Sequence, residues 1–538
     1  MCSLSSQFQA YASKHPKSNP DHVDYGTSGL RARAEILDSI AFRMGLIAAI
    51  KSKVMNGQAI GLMITASHNP AEDNGIKLID CTGSMLEESW EPICTELANE
   101  SDEKLEDSVK NLILKMNMKG EGLVLMGMDT RDSSEKLALS AADGVKAMDT
   151  CVRDLGLLTT PQLHYIVYAY NKSLGEPTES GYFTKFSGAF ANLCASLKST
   201  VKSYKPLLNI DCANGVGGIK MKLMKSLLEP YLTINIHNSG NGVVNHKCGS
   251  FYVETDMKEP IGCSCKPGER WASFDGDVDR IIYYYKRGDD NGALRICNGD
   301  KIAALFCLYV KGLLSDCKLE DKLTIQVVQT AYSNGKTTQF LRNTVGVNVE
   351  YTATGVKHLM RKAADCDISI FFESNGHGSI LYNDKAYNLV QNTVRTDSTG
   401  SAKLLLQVFD LMNQATGDAI SDFLLVEAIL RAKDWNIEDW DAIYETSPSR
   451  LLKLIVPDRK FLKTNDIATV VLEPAGLQDD LNQMIATFGE DSRVIVRPSG
   501  TEDLVRVYAE SKTQEKADQL AEKVRELVEK YSKNRKID

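Results

Sequence analysis

The chain has 538 residues, 43% of them apolar, so it contains enough apolar material for several hydrophobic cores and roughly three or four domains. Its net charge of −9 argues against a nucleic-acid binder, because affinity for a phosphate backbone needs a basic face. Since no apolar run approaches the ~20 residues needed to cross a bilayer and the first residues are polar, neither membrane insertion nor secretion is expected. The thirteen cysteines are scattered, which fits buried, reduced thiols in a cytoplasmic protein.

The first predicted domain, residues 1–192, centres on the motif T-A-S-H-N-P. A buried strand is predicted from Ile60 to Ile64 and a return strand from Ile76 to Ile79, with turns between them. The loop that joins them is expected to be exposed and to present the hydroxyl of Ser67, a candidate nucleophile. Because an isolated motif of this kind more often satisfies only its own backbone, the assignment depends on the rest of the chain.

The remainder of this domain is predicted to alternate helices and strands. The charged residues 97–120 are predicted as a solvated helix or insert. A strand from Leu123 to Met128, a helix from Ser133 to Met148 and a strand from Leu157 to Thr160 form one β-α-β unit. The last strand is expected to stop at Pro161.

The second predicted domain, residues 193–299, places three alternating aspartates directly after a strand. The strand from Ala272 to Phe274 leads into D-G-D-V-D-R, so Asp275, Asp277 and Asp279 point the same way in an extended loop. Two like charges about 4 Å apart repel by about 4 kcal/mol at an effective dielectric near 20, so a divalent cation is the expected remedy. The loop lacks the glycine and glutamate of an EF-hand, and oxygen ligands with open positions suit Mg²⁺.

The third predicted domain, residues 300–434, carries a loop that suits a sugar. Strands at Leu323 to Val328, Val347 to Tyr351 and Ile368 to Phe372, with helices between them, predict a mostly parallel sheet. A carboxylate, a hydroxyl and an amide after the last strand are typical of groups that bind vicinal sugar hydroxyls. The loop residues are Glu373, Ser374, Asn375, Gly376 and His377.

The last predicted domain, residues 435–538, is a smaller α+β domain with a loop that suits phosphate. Its final helix is predicted to open with a capping box formed by Ser511 and Gln514. The segment R-P-S-G-T-E-D-L-V-R offers guanidinium groups, hydroxyls and backbone amides to a phosphate dianion. On its own, a β-turn with a surface salt bridge explains this segment equally well. The candidate ligands are Arg497, Pro498, Ser499, Gly500, Thr501 and Arg506.

Two glycine-containing segments resemble nucleotide-binding motifs without matching them. The loop after the strand that ends at Asp211 would need glycine in place of Lys220 to bind a dinucleotide. The segment from Thr330 to Thr337 lacks the first glycine of a P-loop. The serine loop also lacks the G-x-S-x-G elbow, so Ser67 and His68 are not expected to be half of a hydrolase triad.

The serine, aspartate, sugar and phosphate loops, in this order, resemble the α-D-phosphohexomutases over nearly the full length of the chain. The combination of T-A-S-H-N-P with D-G-D-x-D-R is specific to that family. The resemblance implies an α/β protein in which three α/β domains with mixed, mostly parallel sheets and a smaller C-terminal α+β domain surround a central cleft. The sugar and phosphate loops are most similar to the branch that acts on N-acetylglucosamine phosphates, on the route to UDP-N-acetylglucosamine. The implied enzyme is a monomeric isomerase whose partner is a small sugar phosphate.

The resemblance also implies roles for the individual residues. Ser67 would be phosphorylated in the resting enzyme and would complete the shell of one Mg²⁺ per active site with Asp275, Asp277 and Asp279. The phosphate loop would bind the phosphate already on the sugar, and the sugar loop would orient the ring. Phosphoryl transfer to the 1-hydroxyl would give a hexose 1,6-bisphosphate as the intermediate. The cationic and proton-transfer roles beside the serine would fall to His68, Lys77 and Arg31.

Three departures from the family pattern bear on these expectations. Val278 replaces the common alanine of the aspartate loop and is expected to point away from the metal. Ser374 stands where close relatives carry alanine, and M-D-T-R-D lacks the usual G-R-D-T-R-P opening. A phosphoglucomutase or phosphomannomutase therefore stays open as the alternative. A non-catalytic sugar-phosphate binder and a Mg²⁺-dependent phosphatase are the alternatives from a different class.

Overall fold

The structure, a computed structural model, describes residues 7–18, 20–26, 29–116, 118, 120–197, 201–288, 292–499 and 503–533. The chain forms two units. The first comprises Met1–Asn298, Asn375–Ser379 and Leu406–Ile437, and the second comprises Gly299–Ser374, Ile380–Leu405 and Glu438–Asp538. Within the described residues, none of the helices has the length and apolar character that spanning a membrane requires.

The first unit begins with a five-stranded sheet in the order β1-β3-β2-β4-β5. Its central strand β2 pairs antiparallel with β3 and parallel with β4. Every residue of β2 is buried, because helices α2 and α6 both pack on this strand. The strands are β1 (Leu30–Arg33), β2 (Ala59–Ile64), β3 (Asp73–Ile79), β4 (Leu123–Met128) and β5 (Cys151–Leu157); the helices are α1 (Phe8–Ala12), α2 (Asp38–Val54), α3 (Glu91–Asn99), α4 (Asp102–Lys115), α5 (Ser134–Ala147), α6 (Thr160–Lys172) and α7 (Glu179–Ser196).

The strand predicted from Leu157 to Thr160 is wrong. The edge strand is β5, which has no buried residue, and α6 begins at Thr160. Thr159 caps this helix, since its hydroxyl accepts a hydrogen bond from the Gln162 amide at 3.1 Å and the Gln162 side chain accepts one from the Thr159 amide at 3.0 Å. Pro161 lies in the first helical turn, where its missing N–H is not needed, and therefore marks a helix start.

The charged segment 97–120 is helical, as one of the two predictions had it, but one face of it is not solvated. It contains the end of α3 and all of α4. Leu105, Val109 and Ile113 follow one another at helical spacing and are buried in the core of the first sheet. Burying such a side chain stabilises the fold by about 1.5–3 kcal/mol. The charges occupy only the outer face of this helix.

A second five-stranded sheet of the first unit has the order β10-β9-β8-β6-β7. From the β10 edge, two antiparallel pairings are followed by two parallel ones, which is the pattern of the first sheet as well. The strands are β6 (Leu207–Asp211), β7 (Thr233–His237), β8 (Trp271–Phe274), β9 (Ile281–Lys286) and β10 (Leu294–Cys297), and the helices are α8 (Gly217–Leu228) and α9 (Ser250–Asp256).

A four-stranded sheet in the order β12-β11-β13-β14 follows, with β11 parallel to both neighbours. Its strands are β11 (Ile325–Thr330), β12 (Asn348–Thr352), β13 (Ile368–Phe372) and β14 (Gly378–Tyr382). The helices are α10 (Gly299–Asp316), α11 (Gly335–Gln339), which continues as a π-helix over Phe340–Val345, α12 (Val356–Ala363), α13 (Asp384–Thr393), α14 (Ser401–Leu411), α15 (Ala419–Lys433) and α16 (Ile437–Asp441).

The C-terminal part of the second unit contains two antiparallel sheets, in the orders β15-β19-β18 and β16-β17. The last helix packs on β15 and β19, but the predicted capping box is wrong. The Thr513 hydroxyl accepts from the Lys516 amide, whereas the Ser511 hydroxyl lies 2.9 Å from that of Ser492. The elements are β15 (Ser449–Ile455), β16 (Lys463–Thr464), β17 (Val471–Glu473), α17 (Leu477–Phe488), β18 (Arg493–Pro498), β19 (Leu504–Glu510) and α18 (Gln514–Lys533).

The predicted fold class is confirmed, because three mixed α/β sheets are followed by a smaller antiparallel sheet with helices. The boundaries of the four predicted domains stay predictions. Functional side chains are expected beyond the carboxyl ends of strands in such sheets. Ser67 follows β2, Asp275 follows β8 and Glu373 follows β13.

Candidate active site

Ser67 itself is buried, so the prediction of an exposed serine is wrong, although Pro70 and Glu72 further along the same loop are exposed. Ser67 has a left-handed backbone with φ of 51°, which is uncommon outside glycine and turns its side chain inward. Its amide donates to the Thr65 hydroxyl at 3.0 Å. From the second sheet's side, the Asn245 amide donates to the Ser67 carbonyl at 2.7 Å and thereby covers the loop. The hydrophobic pattern predicts the strands on either side of the loop, but it does not predict that Asn245 covers the loop.

Cationic groups surround the Ser67 hydroxyl. The Lys77 ammonium lies 2.8 Å from Oγ, and the Arg31 guanidinium lies 3.1 Å from it. The hydroxyl itself donates to Asp277 Oδ2 at 2.9 Å. Lys77 comes from β3, the return strand of the same hairpin, and Arg31 from the neighbouring β1, so the sheet register sets this arrangement. An oxygen held between two cations is placed to carry negative charge.

Arg131 holds the backbone of the serine loop. One of its terminal nitrogens donates to the carbonyls of Ser67 at 3.0 Å and Asn69 at 2.9 Å. The other donates to the Asp73 carbonyl at 2.9 Å and also to the Pro70 carbonyl. The guanidinium is completed by an ion pair with Asp129 at 3.0 Å. Four loop carbonyls therefore depend on one buried side chain.

Glycines let the aspartate loop approach the serine loop backbone to backbone. A Cβ on Gly276 would lie 2.6 Å from the Ser67 carbonyl oxygen, and a Cβ on Gly215 would lie 2.3 Å from the Gly276 carbonyl oxygen. The Val216 amide donates to that same carbonyl at 3.1 Å. The glycine-rich loop after β6 thus packs on the aspartate loop, which explains its glycines without a dinucleotide.

Three aspartates of this loop form a buried cluster. One oxygen from each of Asp275, Asp277 and Asp279 lies within 4.8 Å of the others. Among the described residues, no hydrogen-bond partner is found for Asp275 Oδ2 or Asp277 Oδ1, whereas Asp279 Oδ1 lies 3.3 Å from His377 Nδ1. Val278 between them has a φ of 64° and is fully buried, which is a strained conformation for a β-branched residue. Buried, converging and unsatisfied carboxylate oxygens fit a hard divalent cation.

The charges of this cluster are unevenly distributed. Burial, then the charges of Asp279 and Asp277, hold the pKa of Asp275 well above its usual range. Burial also opposes ionisation of Asp277 and Asp279, but the Lys77 ammonium outweighs it and lowers the pKa of both. Lys77 lies 2.8 Å from Asp277 and 3.2 Å from Asp279. The neighbouring cations thus favour the charged form of Asp277 and Asp279, whereas the surroundings of Asp275 favour its protonated form.

The two oxygens of Asp277 have different surroundings. Oδ2 accepts from the Ser67 hydroxyl, from Lys77 and, at 2.6 Å, from the Thr160 hydroxyl. The Thr160 amide, at the start of α6, donates to the Asp277 carbonyl at 3.1 Å. These bonds fix the carboxylate plane, and no hydrogen-bond partner is found for Oδ1 among the described residues.

Two histidines lie beside the cluster. The His68 ring stands over Phe251 with centroids 5.1 Å apart. Burial, followed by the charges of Arg280 and Arg31, holds the pKa of His68 well below its usual value, so this imidazole is neutral at pH 7. His377, expected in the sugar loop, has its Nδ1 3.3 Å from Asp279 Oδ1.

The predicted sugar loop is divided between the two units. Asn375, Gly376 and His377 belong to the first unit, where the Ile281 amide donates to the Gly376 carbonyl at 3.1 Å. Glu373 and Ser374 belong to the second unit. There the Gly355 amide donates to Glu373 at 3.1 Å, and the Ser374 hydroxyl lies 3.4 Å from Asp300 Oδ2 and 3.3 Å from the Tyr332 carbonyl.

The predicted phosphate loop lies in the second unit. Arg497 on β18 and Arg506 on β19 are directly opposite each other in the antiparallel register, and Pro498 pairs with Val505. Ser499 is buried and its amide donates to the Leu504 carbonyl at 2.8 Å. Gly500 and Thr501 lie outside the described residues. Two like charges side by side on a sheet are destabilising without an anion between them.

The P-loop-like segment has its amides occupied by the protein itself. The Gly335 amide donates to the Glu510 carboxylate, at 3.0 Å to one oxygen and 3.2 Å to the other. The same carboxylate pairs with Arg493 at 2.5 Å and accepts from the Tyr508 hydroxyl at 2.8 Å. A carboxylate of the protein thus occupies the Gly335 amide, in agreement with the missing first glycine of a P-loop.

Comparisons with known proteins match this arrangement over the whole chain. Family models match residues 38–105 and 105–175 (phosphoglucomutase/phosphomannomutase, alpha/beta/alpha domain I), 174–282 and 298–435 (phosphoacetylglucosamine mutase AMG1, domains II and III), and 451–527 (phosphoglucomutase/phosphomannomutase, C-terminal domain). The phosphoacetylglucosamine mutase of Sus scrofa is 44% identical over 522 residues, which cover 96% of this chain and 95% of the relative.

The chain belongs to the phosphoacetylglucosamine mutase family. The phosphoacetylglucosamine mutase of Candida albicans is 38% identical and covers 98% of this chain and 100% of the relative. A crystal structure of the Aspergillus fumigatus N-acetylphosphoglucosamine mutase in complex with GlcNAc-6P and magnesium has a TM-score of 0.92 at 38% identity, covering 98% of this chain and 100% of that one. The resemblance to the α-D-phosphohexomutases is confirmed.

Three residues of this phosphoacetylglucosamine mutase site were missed by the sequence analysis. Arg131 lies in the segment M-D-T-R-D, which was noted only as a departure from the family pattern. Thr160 was assigned to a strand, although Thr-Thr-Pro before a helical pattern signals a cap and places this hydroxyl at a helix start. Asn245 carried no signal, since a lone asparagine in a loop is common.

Proposed function

We propose that this protein interconverts N-acetylglucosamine 6-phosphate and N-acetylglucosamine 1-phosphate, with Ser67 as the phosphoryl carrier. The observation that supports the proposal most directly is the position of Ser67 Oγ, 2.8 Å from Lys77, 3.1 Å from Arg31 and beside the unsatisfied oxygens of the aspartate cluster. Relatives have been crystallised with GlcNAc-6P and magnesium and with glucose 1,6-bisphosphate. The reaction belongs to the isomerases and supplies the biosynthesis of UDP-N-acetylglucosamine.

Asp275, Asp277 and Asp279 are the residues that would hold one Mg²⁺, together with an oxygen of the phosphorylated Ser67. One oxygen from each carboxylate lies within 4.8 Å of the others and all three residues are buried, which fits such an ion. When bound, Mg²⁺ supplies positive charge that neutralises the transferring phosphoryl group. The protein's own cations add to this, since Lys77 and Arg31 both contact the oxygen that leaves.

In the forward direction the phosphoserine gives its phosphoryl group to the 1-hydroxyl of N-acetylglucosamine 6-phosphate. The bond from phosphorus to Ser67 Oγ breaks, a bond to the sugar oxygen forms, and the product is the 1,6-bisphosphate. The proton of the sugar hydroxyl ends on Ser67 Oγ. Lys77, at 2.8 Å, is placed to protonate that oxygen. His68, as a neutral imidazole, is a candidate for accepting the proton of the sugar hydroxyl. Return of the 6-phosphate to Ser67 completes the cycle.

Each end of the substrate is assigned to one of the two predicted binding loops. Arg497, Ser499 and Arg506, with Gly500 and Thr501 of the same loop, bind the phosphate already on the sugar. Glu373, Ser374 and Asn375 orient the ring through its hydroxyls and acetamido group. Ser374 adds a hydroxyl where close relatives have a methyl group, so the preference among sugars is the part of this proposal that most needs measurement.

The proposal also includes the subcellular location and the oligomeric state of the protein. Most cysteines of the described residues are buried, free thiols, which supports a reducing, cytoplasmic location. We propose that the enzyme works as a monomer on a free sugar phosphate, with no protein partner. Subcellular fractionation and light scattering test these two statements.

One assay tests the function against its alternatives. The purified protein is incubated with Mg²⁺, a trace of hexose 1,6-bisphosphate and the 6-phosphates of N-acetylglucosamine, glucose or mannose in parallel. We expect the N-acetylglucosamine substrate to be converted fastest. Faster conversion of glucose or mannose 6-phosphate would overturn the substrate, release of inorganic phosphate alone would favour a phosphatase, and binding without conversion would favour a non-catalytic binder.

The role of Ser67 is tested by the Ser67→Ala variant. Mutase activity should be lost, because the variant lacks the oxygen that carries the phosphoryl group. Binding of N-acetylglucosamine 6-phosphate, followed by calorimetry, should remain measurable, because the substrate's phosphate is held by residues of the second unit. Ser84→Ala, which removes a hydroxyl from an exposed turn, is the control. Near-normal turnover of the Ser67 variant would remove this serine from the mechanism.

A further inference from the structure

The P-loop-like segment carries a tyrosine that packs against the strands of the phosphate loop. Tyr332 lies against a small apolar cluster of Ala331, Ile495 and Tyr508 in the second unit. The rings of Tyr332 and Tyr508 meet edge to face, with centroids 5.9 Å apart and planes at 81°. Tyr332 therefore covers the face of the sheet on which Ile495 and Tyr508 lie.

The two phosphate-loop arginines lie on that same face. Ile495 precedes Arg497 by two residues on β18, and Tyr508 follows Arg506 by two residues on β19. Because side chains alternate along a strand, residues two apart point to the same side. The register pairs Ile495 with Tyr508 and Arg497 with Arg506, so the arginine pair lies directly next to the pair that Tyr332 covers.

What this corner of the second unit lacks is a hydrogen-bond acceptor. The Tyr332 hydroxyl and Arg506 Nε are both buried, and the one hydrogen-bonding interaction found for either among the described residues is that of the Tyr332 hydroxyl oxygen with the Arg497 guanidinium. Neither arginine forms an ion pair with a carboxylate of the described residues. A guanidinium has donors and no acceptor, so it leaves the phenol proton unsatisfied as well. Converging donors without an acceptor are the arrangement expected of an anion site.

We propose that Tyr332 is a substrate-binding residue whose hydroxyl donates a hydrogen bond to the sugar-bound phosphate held by Arg497 and Arg506. The inference rests on the proposed function, which makes that phosphate the ligand of the arginine pair. Burial raises the pKa of the Tyr332 phenol, and the charges of Arg497 and Arg506 oppose this rise. The phenol therefore stays protonated at neutral pH and acts as a donor.

The backbone of the same residue supports the sugar loop. The Tyr332 carbonyl lies 3.3 Å from the hydroxyl of Ser374, the residue that departs from the alanine of close relatives. The neighbouring Asn334 amide donates to Asp300 at 2.9 Å, and Asp300 lies 3.4 Å from the same hydroxyl. Tyr332 thus binds the phosphate end of the substrate with its side chain while its backbone holds the loop that contacts the ring.

The test is the variant Tyr332→Phe, which keeps the ring and its packing and removes only the hydroxyl. We expect KM for N-acetylglucosamine 6-phosphate to rise about tenfold, as for the loss of a hydrogen bond to a charged group. The value of kcat should stay within about threefold, because the bond is made equally in the ground and transition states. Inhibition by inorganic phosphate should weaken by the same factor as substrate binding.

Tyr508→Phe is the matched control. It removes a hydroxyl from the partner ring, but that hydroxyl donates to Glu510 and not toward the arginines. A structural effect on the aromatic pair would raise KM in both variants, whereas loss of a phosphate contact raises it only in Tyr332→Phe. Unchanged KM and unchanged phosphate inhibition in Tyr332→Phe would overturn the proposal, and so would equal rises in both variants.

A second measurement needs no loss of the hydroxyl. With 3-fluorotyrosine placed at position 332 of the full chain, the ¹⁹F resonance should shift on addition of N-acetylglucosamine 6-phosphate or inorganic phosphate, and not on addition of N-acetylglucosamine. A resonance that ignores both phosphates would contradict the assignment. Should the wild-type protein bind phosphate at this tyrosine but convert no sugar phosphate, the proposed function would fail and the phosphate site would stand.

Discussion

The Asp277 carboxylate is preorganised for metal binding by hydrogen bonds from neighbouring side chains. Three donors, from Ser67, Lys77 and Thr160, use one of its oxygens, and the other has no partner among the described residues. A carboxylate fixed in this way loses little rotational freedom when it binds a cation. Lys77 and Ser67 belong to the reaction itself, so Thr160 is the donor that serves only to orient Asp277.

Replacing Thr160 with valine should therefore weaken metal binding while keeping the shape of the side chain. We expect the Mg²⁺ concentration for half-maximal activity to rise about tenfold or more, as for other residues that orient a metal ligand. Activity at saturating Mg²⁺ should recover most of the wild-type kcat. The measurement is a Mg²⁺ titration of mutase activity.

The control for that titration is Thr150→Val. Thr150 is buried, and its hydroxyl donates to the Met148 carbonyl and not to an aspartate of the cluster. An equal shift in both variants, or no shift for Thr160→Val, would show that the Thr160 hydroxyl does not position Asp277.

At the scale of single residues, the sequence identified the chemistry but not the environment. Ser67 and the three aspartates were found because alternation and motif spacing are local properties. The burial of Ser67 was not, because Asn245 and Gly276, which cover its loop, are far away in the chain. Thr160 was missed for a local reason, since Pro161 was taken as the end of a strand instead of the first turn of a helix.

The serine loop is an element whose shape is set by a side chain more than by regular backbone pairing. Arg131 donates to four of its carbonyls, and Asp129 holds Arg131 in turn. The planar guanidinium with its five donors matches this task, and an ammonium with three donors on a flexible stem does not. The positioning of Ser67 against the substrate should depend on this contact.

We expect Arg131→Lys to lower kcat by about 10- to 100-fold, because misplacement of a reacting group by about an ångström has costs of this size. Half-saturation by Mg²⁺ should change little, since Arg131 contacts none of the aspartates of the cluster. Steady-state kinetics with a Mg²⁺ titration separate the two effects. Arg153→Lys, on the exposed strand β5 where the guanidinium lies over the Tyr170 ring, provides the matched control.

Should kcat of the Arg131 variant equal that of the control, the loop would hold its shape without the guanidinium.

Most elements of the fold were predictable because the hydrophobic residues of buried strands such as β2 and of amphipathic helices such as α18 recur with a clear period. The errors fall where the period is weak. Strand β5 has no buried residue, and α4 shows a narrow apolar stripe under many charges.

For the molecule as a whole, the aspartate cluster is a source of instability that the metal removes. Asp275 has a raised pKa in the folded state, so at neutral pH its ionisation opposes folding. Without metal, the stability of the fold should increase as the pH falls below the folded-state pKa of Asp275 toward the ordinary pKa of an aspartate, because only the folded state binds a proton there. A ligand that binds only the folded state at 100 times its Kd adds about 2.7 kcal/mol.

The variant Asp275→Asn should therefore be more stable than the wild type in EDTA at pH 7.5, and this advantage should shrink as the pH is lowered. Added Mg²⁺ should raise the unfolding temperature of the wild type and have less than half that effect on the variant. Calorimetry with and without metal measures both quantities. Asp107→Asn, which neutralises an exposed carboxylate on α4, should respond to Mg²⁺ as the wild type does. A wild-type protein equally stable with and without Mg²⁺ would contradict the account.

The contact between Gly276 and the Ser67 backbone has a consequence for the order of events in the reaction cycle. A Cβ there would lie 2.6 Å from the serine carbonyl oxygen, so the two loops pack backbone against backbone and this contact holds Ser67 beside the aspartates. The sugar has to present its two ends in turn to a stationary donor. Each bisphosphate formed thus either reorients in the site or dissociates from it. The ratio of these two rates decides how many cycles the enzyme completes before a new bisphosphate has to bind.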